Sequence, residues 1–140
     1  MLLDLLLQYL RDVEAAIQRL AGAYVERYEE EIVASNRANL RIRVRFPNGH
    51  LLELNESIIG EAGHLSHIGY RYHFQDRQNN LVFRYDNTPH FPDFENFPHH
   101  KHFPDKVTGV EQPSILDVIE EAKLFAQQTE PKSMSQVHIL

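Results

Sequence analysis

Residues Asn39–Asn55 read NLRIRVRFPNGHLLELN, and this stretch decides the fold. Apolar residues alternate with arginines from Leu40 to Phe46, which is the period of a β-strand that buries one face. The following Pro47-Asn48-Gly49 has the residue types of a tight turn, and His50–Asn55 is the returning strand. The stretch therefore predicts an antiparallel hairpin with one apolar face.

Three further strands are predicted around this hairpin. Tyr24–Ala34 precedes it, while Ile68–Asp76 and Leu81–Tyr85 follow it and are joined by an asparagine-rich turn. Residues 60–63 contain two glycines and are expected to form a loop. Because the connections are short, neighbouring strands should pair antiparallel, which gives a sheet of about five strands.

Both ends of the chain are predicted to be helical. Apolar residues recur at helical spacing from Leu2 to Leu20. A second such stripe follows Ser114, which can cap a helix together with Asp117. Residues 129–140 show no periodicity and are expected to form a flexible tail. The predicted fold is α+β in a single domain over residues 1–128, with an N-terminal helix, about five antiparallel strands, a long His/Pro-rich loop and a C-terminal helix packed on one sheet face.

The composition limits the class of protein. With 140 residues, of which 42% are hydrophobic, the chain can build an ordinary core. The formal net charge of −6 argues against a strongly basic DNA-coating protein, although a local basic face could still bind RNA. There is no cysteine, which excludes a thiolate zinc site and fits a reducing cytoplasm. No segment approaches the roughly 18 apolar residues of a membrane span, so a cytoplasmic protein without a membrane partner is expected.

One face of the predicted sheet is rich in arginine. Arginine binds phosphate and aromatic rings stack on bases, so this face could bind nucleic acid. Alternatively, the arginines could pair with glutamates of the first strand and form a solvated face. The residues concerned are Arg41, Arg43, Arg45, Arg71 and Arg84, together with His73.

The segment Arg84–His102, RYDNTPHFPDFENFPHHKH, holds four of the nine histidines and three of the seven prolines. A loop of this length without secondary structure is usually functional or disordered. Three imidazoles beside a lysine in His99–His102 repel one another when protonated, so at least one should be an available base near neutral pH. A base, an acid and a cation are what metal-independent RNA cleavage requires.

This chemistry suggests a set of candidate residues. One of His99, His100 and His102 would serve as base or acid, with Lys101 stabilising the negative charge that develops. Arg84 would bind phosphate, and Asp86 or Asn87 would orient a histidine or cap the turn. The substrate-binding candidates are Arg84, Asp86, Asn87, His90, Arg71 and Arg43. No cofactor is expected.

Two other interpretations stay open. The histidines and nearby aspartates could bind zinc or nickel. Alternatively, the loop over residues 86–106 could belong to a non-catalytic module and dock a partner through its phenylalanines. In a site loop the phenylalanines should fold inward and the histidines should converge, whereas in a docking loop the phenylalanines should stay exposed. These aromatic residues are Phe91, Phe94, Phe97 and Phe103.

The same segment resembles a known family. RYDN at Arg84–Asn87, followed by FPHHKH at Phe97–His102 and a short final helix, is similar to the TumE family, the toxin components of bacterial toxin–antitoxin pairs. The resemblance implies a prokaryotic toxin-like protein held by a cognate helix-turn-helix antitoxin, and it assigns no catalytic residue. Together with the histidine chemistry it predicts a metal-independent endoribonuclease acting on RNA. A homodimer stays open.

Overall fold

The computed structural model describes residues 2–128 of the chain. These residues form two helices and seven strands, and the expected tail over residues 129–140 lies outside them. The elements in chain order are α1 Leu2–Gln18, β1 Tyr24–Ala34, β2 Arg37–Arg45, β3 Leu51–Glu61, β4 His64–Gln75, β5 Leu81–Asp86, β6 His100–His102, β7 Val107–Gly109 and α2 Ile115–Gln128.

All seven strands belong to one sheet, and their spatial order is their chain order. Every pair of neighbours is antiparallel, and all the connections except the one between β5 and β6 are short, which favours that direction. In the predicted hairpin, Arg41 lies opposite Asn55 and Ile42 lies opposite Leu54. Arginines and apolar residues of β2 therefore point to opposite faces, as the alternation predicts.

The α+β class and both helices are confirmed, but the count of about five strands was wrong. The additional strands, β6 and β7, lie within and just after the segment that was predicted to be one long loop. Each has only three residues, which is too short to show a period of two. The loop expected at residues 60–63 is also shorter, because β3 and β4 continue to a tight turn at Ala62-Gly63, where both residues have positive φ.

Both helices pack on the apolar face of the sheet. Helix α1 buries Leu6, Leu10 and Val13, and α2 buries Val118 and Ile119. Their partners are the inward side chains of β2 to β5, which form the hydrophobic core. Neither described helix has the length and apolar content needed to cross a membrane. The other side of the sheet is called the polar face below.

Candidate functional site

Two rows of side chains cross the polar face from β2 to β6. Directly opposite residues of antiparallel strands have Cβ atoms about 5 Å apart, so each row is a continuous line of neighbours. The Asp86 row consists of Arg41, Asn55, Arg71, Asp86 and His100. The Arg84 row consists of Arg43, Glu53, His73, Arg84 and His102.

The half of the polar face nearest β1 is neutralised by ion pairs. Glu26 binds the guanidinium Nε of Arg43 at 2.8 Å and that of Arg45 at 3.0 Å. Arg43 also lies 3.5 Å from Glu53. This half therefore fits the solvated-face interpretation, and it contains Arg43, one of the candidate substrate-binding residues. Strands β3 and β4 separate Arg43 from β5.

In the half nearest β6, one carboxylate brings the predicted residues together. Asp86 Oδ1 lies 2.8 Å from Nε2 of His100, and Asp86 Oδ2 lies 3.5 Å from Nε2 of His102 and 3.5 Å from Nε of Arg84. The Oδ1 atom also accepts the backbone N–H of Thr88 at 3.1 Å, so the same carboxylate begins the loop after β5. Arg84, Asp86, His100 and His102 are called the Asp86 cluster below.

His100 is the buried member of the cluster, with 3% of its side chain exposed. Its Nδ1 lies 3.0 Å from the carbonyl of Pro98, and an imidazole nitrogen meets a carbonyl favourably only as a donor. Within residues 2–128, Nε2 of His100 and Nε of Arg84 are buried without a partner in hydrogen-bond geometry. Such unsatisfied groups are rare in folded proteins, and a catalytic role is one explanation for them.

His102 is more accessible than His100, with 19% of its side chain exposed. Burial lowers its pKa below the ordinary value of 6.5, and the charge of Arg84 lowers this pKa further, while Asp86 opposes both effects. The ring is therefore neutral at neutral pH and can accept a proton. On the other side of Arg84, burial also lowers the pKa of His73. The Arg84 row thus places a cation between two neutral imidazoles.

The segment between β5 and β6 folds over the cluster. The ring of Phe91 packs edge-on against His100 at 5.3 Å and stacks on Phe94 at 4.8 Å. The backbone carbonyl of Glu95 would clash with a Cβ at residue 109, so β7 requires Gly109 at this crossing. Phe91 and Phe94 are partly buried, whereas Phe97 is 44% exposed.

Lys101 and His99 lie away from the Asp86 cluster. Because side chains alternate along β6, Lys101 points to the helix face, where Nζ binds Glu121 at 2.7 Å and lies over the ring of Tyr85. The ring of His99 stacks on Tyr70, and its Nδ1 lies 2.9 Å from the Tyr70 hydroxyl. The fold therefore divides the four consecutive residues His99–His102 between two faces of the sheet.

The other candidate residues border the cluster. Asn87 accepts the backbone N–H of Tyr70 at 3.1 Å and donates to the carbonyl of Ile68 at 3.4 Å, so it ties the start of the loop to β4. Arg71 is exposed directly opposite Asp86. His90 is exposed and close enough to contribute to the lowered pKa of His102.

A second polar cluster lies on the helix face, and it was not among the candidates from sequence. The side chain of Glu56 is fully buried. It accepts hydrogen bonds from the hydroxyls of Tyr9 and Tyr72, and it lies 2.6 Å from Nε2 of His67. Hydrogen bonding of this kind is what a buried carboxylate requires. Glu56, Tyr9, Tyr72 and His67 are called the Glu56 network below.

One sequence signal could have revealed this network. In β3, Glu56 lies an even number of residues from Leu52, Leu54 and Ile58, all of which are fully buried. A period of two therefore places this carboxylate on the apolar face, where it needs polar partners. The partners themselves are distant in sequence, and only the fold brings them together.

Asp86, His100 and His102 also have the geometry of potential metal ligands, because one ligand atom from each lies within 4.8 Å of the others. Imidazole and carboxylate are usual zinc ligands. However, the guanidinium of Arg84 lies 3.5 Å from the same carboxylate and would repel a divalent cation there. The arrangement of charges favours proton transfer and the binding of an anion.

The comparison with known families gives one match. The family model described as Toxin TumE matches residues 7–129, which include most of α1, the whole sheet, the segment over the Asp86 cluster and α2. Neither a curated protein nor a solved structure matches the chain. Because the match covers most of the chain, the protein belongs to the TumE family of toxins.

Proposed function

We propose that this toxin-family protein is a metal-independent endoribonuclease whose reaction takes place at the Asp86 cluster and His73. The observation that carries the proposal is the Arg84 row, in which His73, Arg84 and His102 are consecutive neighbours on the polar face. Two strand spacings separate the histidine backbones, roughly 10 Å, which leaves room for one phosphodiester above the guanidinium.

In this reaction His102 acts as the base. It removes the proton from a ribose 2′-hydroxyl, and the 2′-oxygen then forms a bond to phosphorus while the bond from phosphorus to the 5′-oxygen breaks. The leaving 5′-oxygen takes its proton from Nε2 of His73, which lies 2.9 Å from Oε1 of Gln75 and exchanges this contact for the 5′-oxygen. The pKa of His73 is raised again when an anionic phosphate binds beside it. The products are a 2′,3′-cyclic phosphate and a 5′-hydroxyl, so neither water nor a metal takes part in this step.

The remaining members of the cluster prepare these groups. The guanidinium of Arg84 is the phosphate-binding group, since its planar fork matches two phosphate oxygens. Asp86 is a positioning residue, because its carboxylate contacts Arg84, His100 and His102. His100 is also a positioning residue, because its side chain is almost inaccessible to a substrate. Lys101 has no role in this reaction, because its ammonium group is bound to Glu121 on the opposite face.

The fold of the loop supports a site more than a docking surface. Phe91 and Phe94 turn toward the sheet and His100 and His102 converge, as the site-loop interpretation predicts, whereas Phe97 is 44% exposed. A toxin that cleaves cellular RNA would act in the cytoplasm and would need a cognate antitoxin to hold it in check. A helix-turn-helix antitoxin is the partner expected from the family resemblance.

Cleavage of single-stranded RNA by the purified protein in EDTA tests this function. We expect products with 2′,3′-cyclic phosphate ends and no cleavage of a substrate that lacks 2′-hydroxyls. The variants His102→Ala and Arg84→Ala should each lower kcat by about 100-fold or more, because they remove the base and the phosphate-binding cation.

His64→Ala is the matched control, because His64 is exposed at the start of β4 and away from the cluster. It should cleave at the wild-type rate. Cleavage that requires zinc or another divalent ion and is abolished by EDTA would contradict the proposal and favour a metal centre at Asp86, His100 and His102. An unchanged rate in His102→Ala would exclude His102 as the base.

A further inference from the structure

Strand β1 is the long free edge of the sheet. It has eleven residues and is exposed along nearly its whole length, and within residues 2–128 it pairs only with β2. Val25 is 41% exposed and Ile32 is 47% exposed, although both lie on the face that the helices cover further along the sheet. The opposite edge, β7, has only three residues and is crossed by the backbone of Glu95.

The middle of this edge is regular. Irregularities in the pairing with β2 occur between Val25 and Arg27 and between Ile32 and Ala34, near the two ends of the strand. From Arg27 to Ile32 the register is unbroken. Bulges are one means by which proteins blunt a free edge, but here they leave the central segment extended. Its outer backbone groups can therefore pair with another strand.

The side chains of this segment indicate the chemistry of the added strand. On the polar face it presents Glu29 and Glu31 together with Arg27, which lies 3.3 Å from Glu29, so this face keeps an excess of negative charge. On the helix face it presents Tyr28 and Ile32, with Glu30 between them. An added strand that alternates basic and apolar residues would place its cations beside the glutamates and its apolar side chains beside Tyr28 and Ile32.

A second copy of the chain fits this edge poorly. Antiparallel pairing of β1 with itself in a register centred on Glu30 would place Glu29 beside Glu31 of the other copy, and Glu30 beside Glu30. Like charges directly opposite each other in a sheet are destabilising. In this register the acidic run disfavours self-association and favours a partner of opposite charge.

We propose that the β1 edge, residues Arg27–Ile32, is a docking site for an extended basic segment of the antitoxin, which adds an eighth strand to the sheet. The identification of the partner as an antitoxin rests on the toxin-like function, whereas the docking geometry does not. Docking here would anchor the antitoxin at the edge of the sheet remote from the Asp86 cluster, with β2 to β4 between β1 and β5.

A short synthetic peptide in which lysine alternates with valine is the probe for this edge. Binding to the full-length protein should change the amide NMR signals of Arg27–Ile32 and protect these amides from hydrogen exchange. The double variant Glu29→Lys/Glu31→Lys should weaken peptide binding by about tenfold or more, since it converts two attractive cross-strand contacts into repulsive ones. A peptide that alternates glutamate with valine should not bind the wild-type protein.

The matched control is Glu111→Lys/Glu120→Lys, which makes the same change in net charge at two exposed positions away from β1. It should bind the lysine peptide as the wild type does. Equal weakening in the two double variants would show only a general charge effect and would overturn the proposal. So would signal changes confined to other strands, or β1 amides that are already protected in a dimer that dissociates on dilution.

The RNA assay separates this inference from the proposed function. Glu29→Lys/Glu31→Lys should cleave RNA at the wild-type rate, because the substitutions lie far from the cluster. A wild-type protein that cleaves no RNA but binds the peptide at β1 would contradict the ribonuclease and support the docking site. A protein that cleaves RNA but does not bind the peptide would support the ribonuclease and contradict the docking site.

Discussion

Asp86 shows how much a single side chain can organise at the residue scale. With two oxygens it contacts one arginine, two histidines and the backbone amide of Thr88. The sequence predicted the members of this group because Arg84–Asn87 and His99–His102 are rich in ionisable residues. It could not predict which of them converge, because that depends on the pairing of β5 with β6.

A prediction at this scale concerns the pH dependence of RNA cleavage. If His102 is the base, its lowered pKa keeps the protein active below pH 6.5, and activity is lost only when this histidine becomes protonated. Burial is the main cause of the lowered pKa and Arg84 is the second cause. Arg84→Met should therefore move the acidic limb of the rate–pH profile to higher pH, in addition to lowering the rate.

Arg84→Lys provides the comparison, because it keeps the positive charge and removes the planar fork. Its cleavage rate should fall, but its acidic limb should stay nearer that of the wild type. Identical acidic limbs in the methionine and lysine variants would mean that the charge of residue 84 does not act on the base.

At the scale of elements, periodicity explains both the successes and the failures of the sequence prediction. Strands with four or more alternating residues, such as β2 and β5, were recognised from their pattern. Strand β6 was missed because His100-Lys101-His102 has three polar residues and no alternation of polarity. Its true alternation is between two polar environments, the Asp86 cluster on one face and Glu121 on the other.

The Glu56 network joins α1 to β3 and β4, and its removal tests how that helix is held. Tyr72→Phe should lower the free energy of unfolding by about 1–3 kcal/mol, because a buried carboxylate loses one of its hydrogen-bond donors. Tyr9→Phe should have a similar cost. Urea unfolding followed by circular dichroism measures both effects.

Tyr24→Phe is the control for this prediction, since Tyr24 is 69% exposed. Its effect should stay within about 0.5 kcal/mol, as for most surface substitutions. If Tyr72→Phe is as stable as Tyr24→Phe, the hydroxyl does not stabilise the fold and the network does not hold α1 in place.

At the scale of the whole molecule, the two polar clusters lie on opposite faces of one sheet, and both contain groups with shifted pKa values. Burial lowers the pKa of His73 and His102 on the polar face. On the helix face, burial and Glu56 raise the pKa of the Tyr9 and Tyr72 hydroxyls above their ordinary value of 10.0. Each set gives the stability of the protein a different dependence on pH.

The free energy of unfolding should fall at both ends of the pH range. Below pH 6.5 the histidines of the unfolded chain bind protons, whereas the folded histidines with their lowered pKa stay neutral to lower pH. Stability therefore falls as the pH decreases. Above pH 10.0 the unfolded chain releases protons that the folded tyrosines keep, so stability falls as the pH increases. Urea unfolding at a series of pH values measures this profile.

The double variant Tyr9→Phe/Tyr72→Phe should be less stable than the wild type near pH 7 and should lose less of its remaining stability above pH 10.0. An alkaline slope identical to that of the wild type would assign the loss to other groups. The acidic slope should be the same in both proteins, because the histidines of the polar face are unchanged.

The sheet order has a consequence for how the protein is made. Because each strand in the described part of the chain pairs only with its neighbours in sequence, the sheet can grow in the order in which a ribosome releases the chain. Arg84 and Asp86 are synthesised before His100 and His102, so a nascent or truncated chain that ends before β6 lacks the histidines of the Asp86 cluster. If the Asp86 cluster is the reactive site, that site is complete only after nearly the whole sheet has been synthesised, whereas the β1 edge proposed to bind an antitoxin is made first.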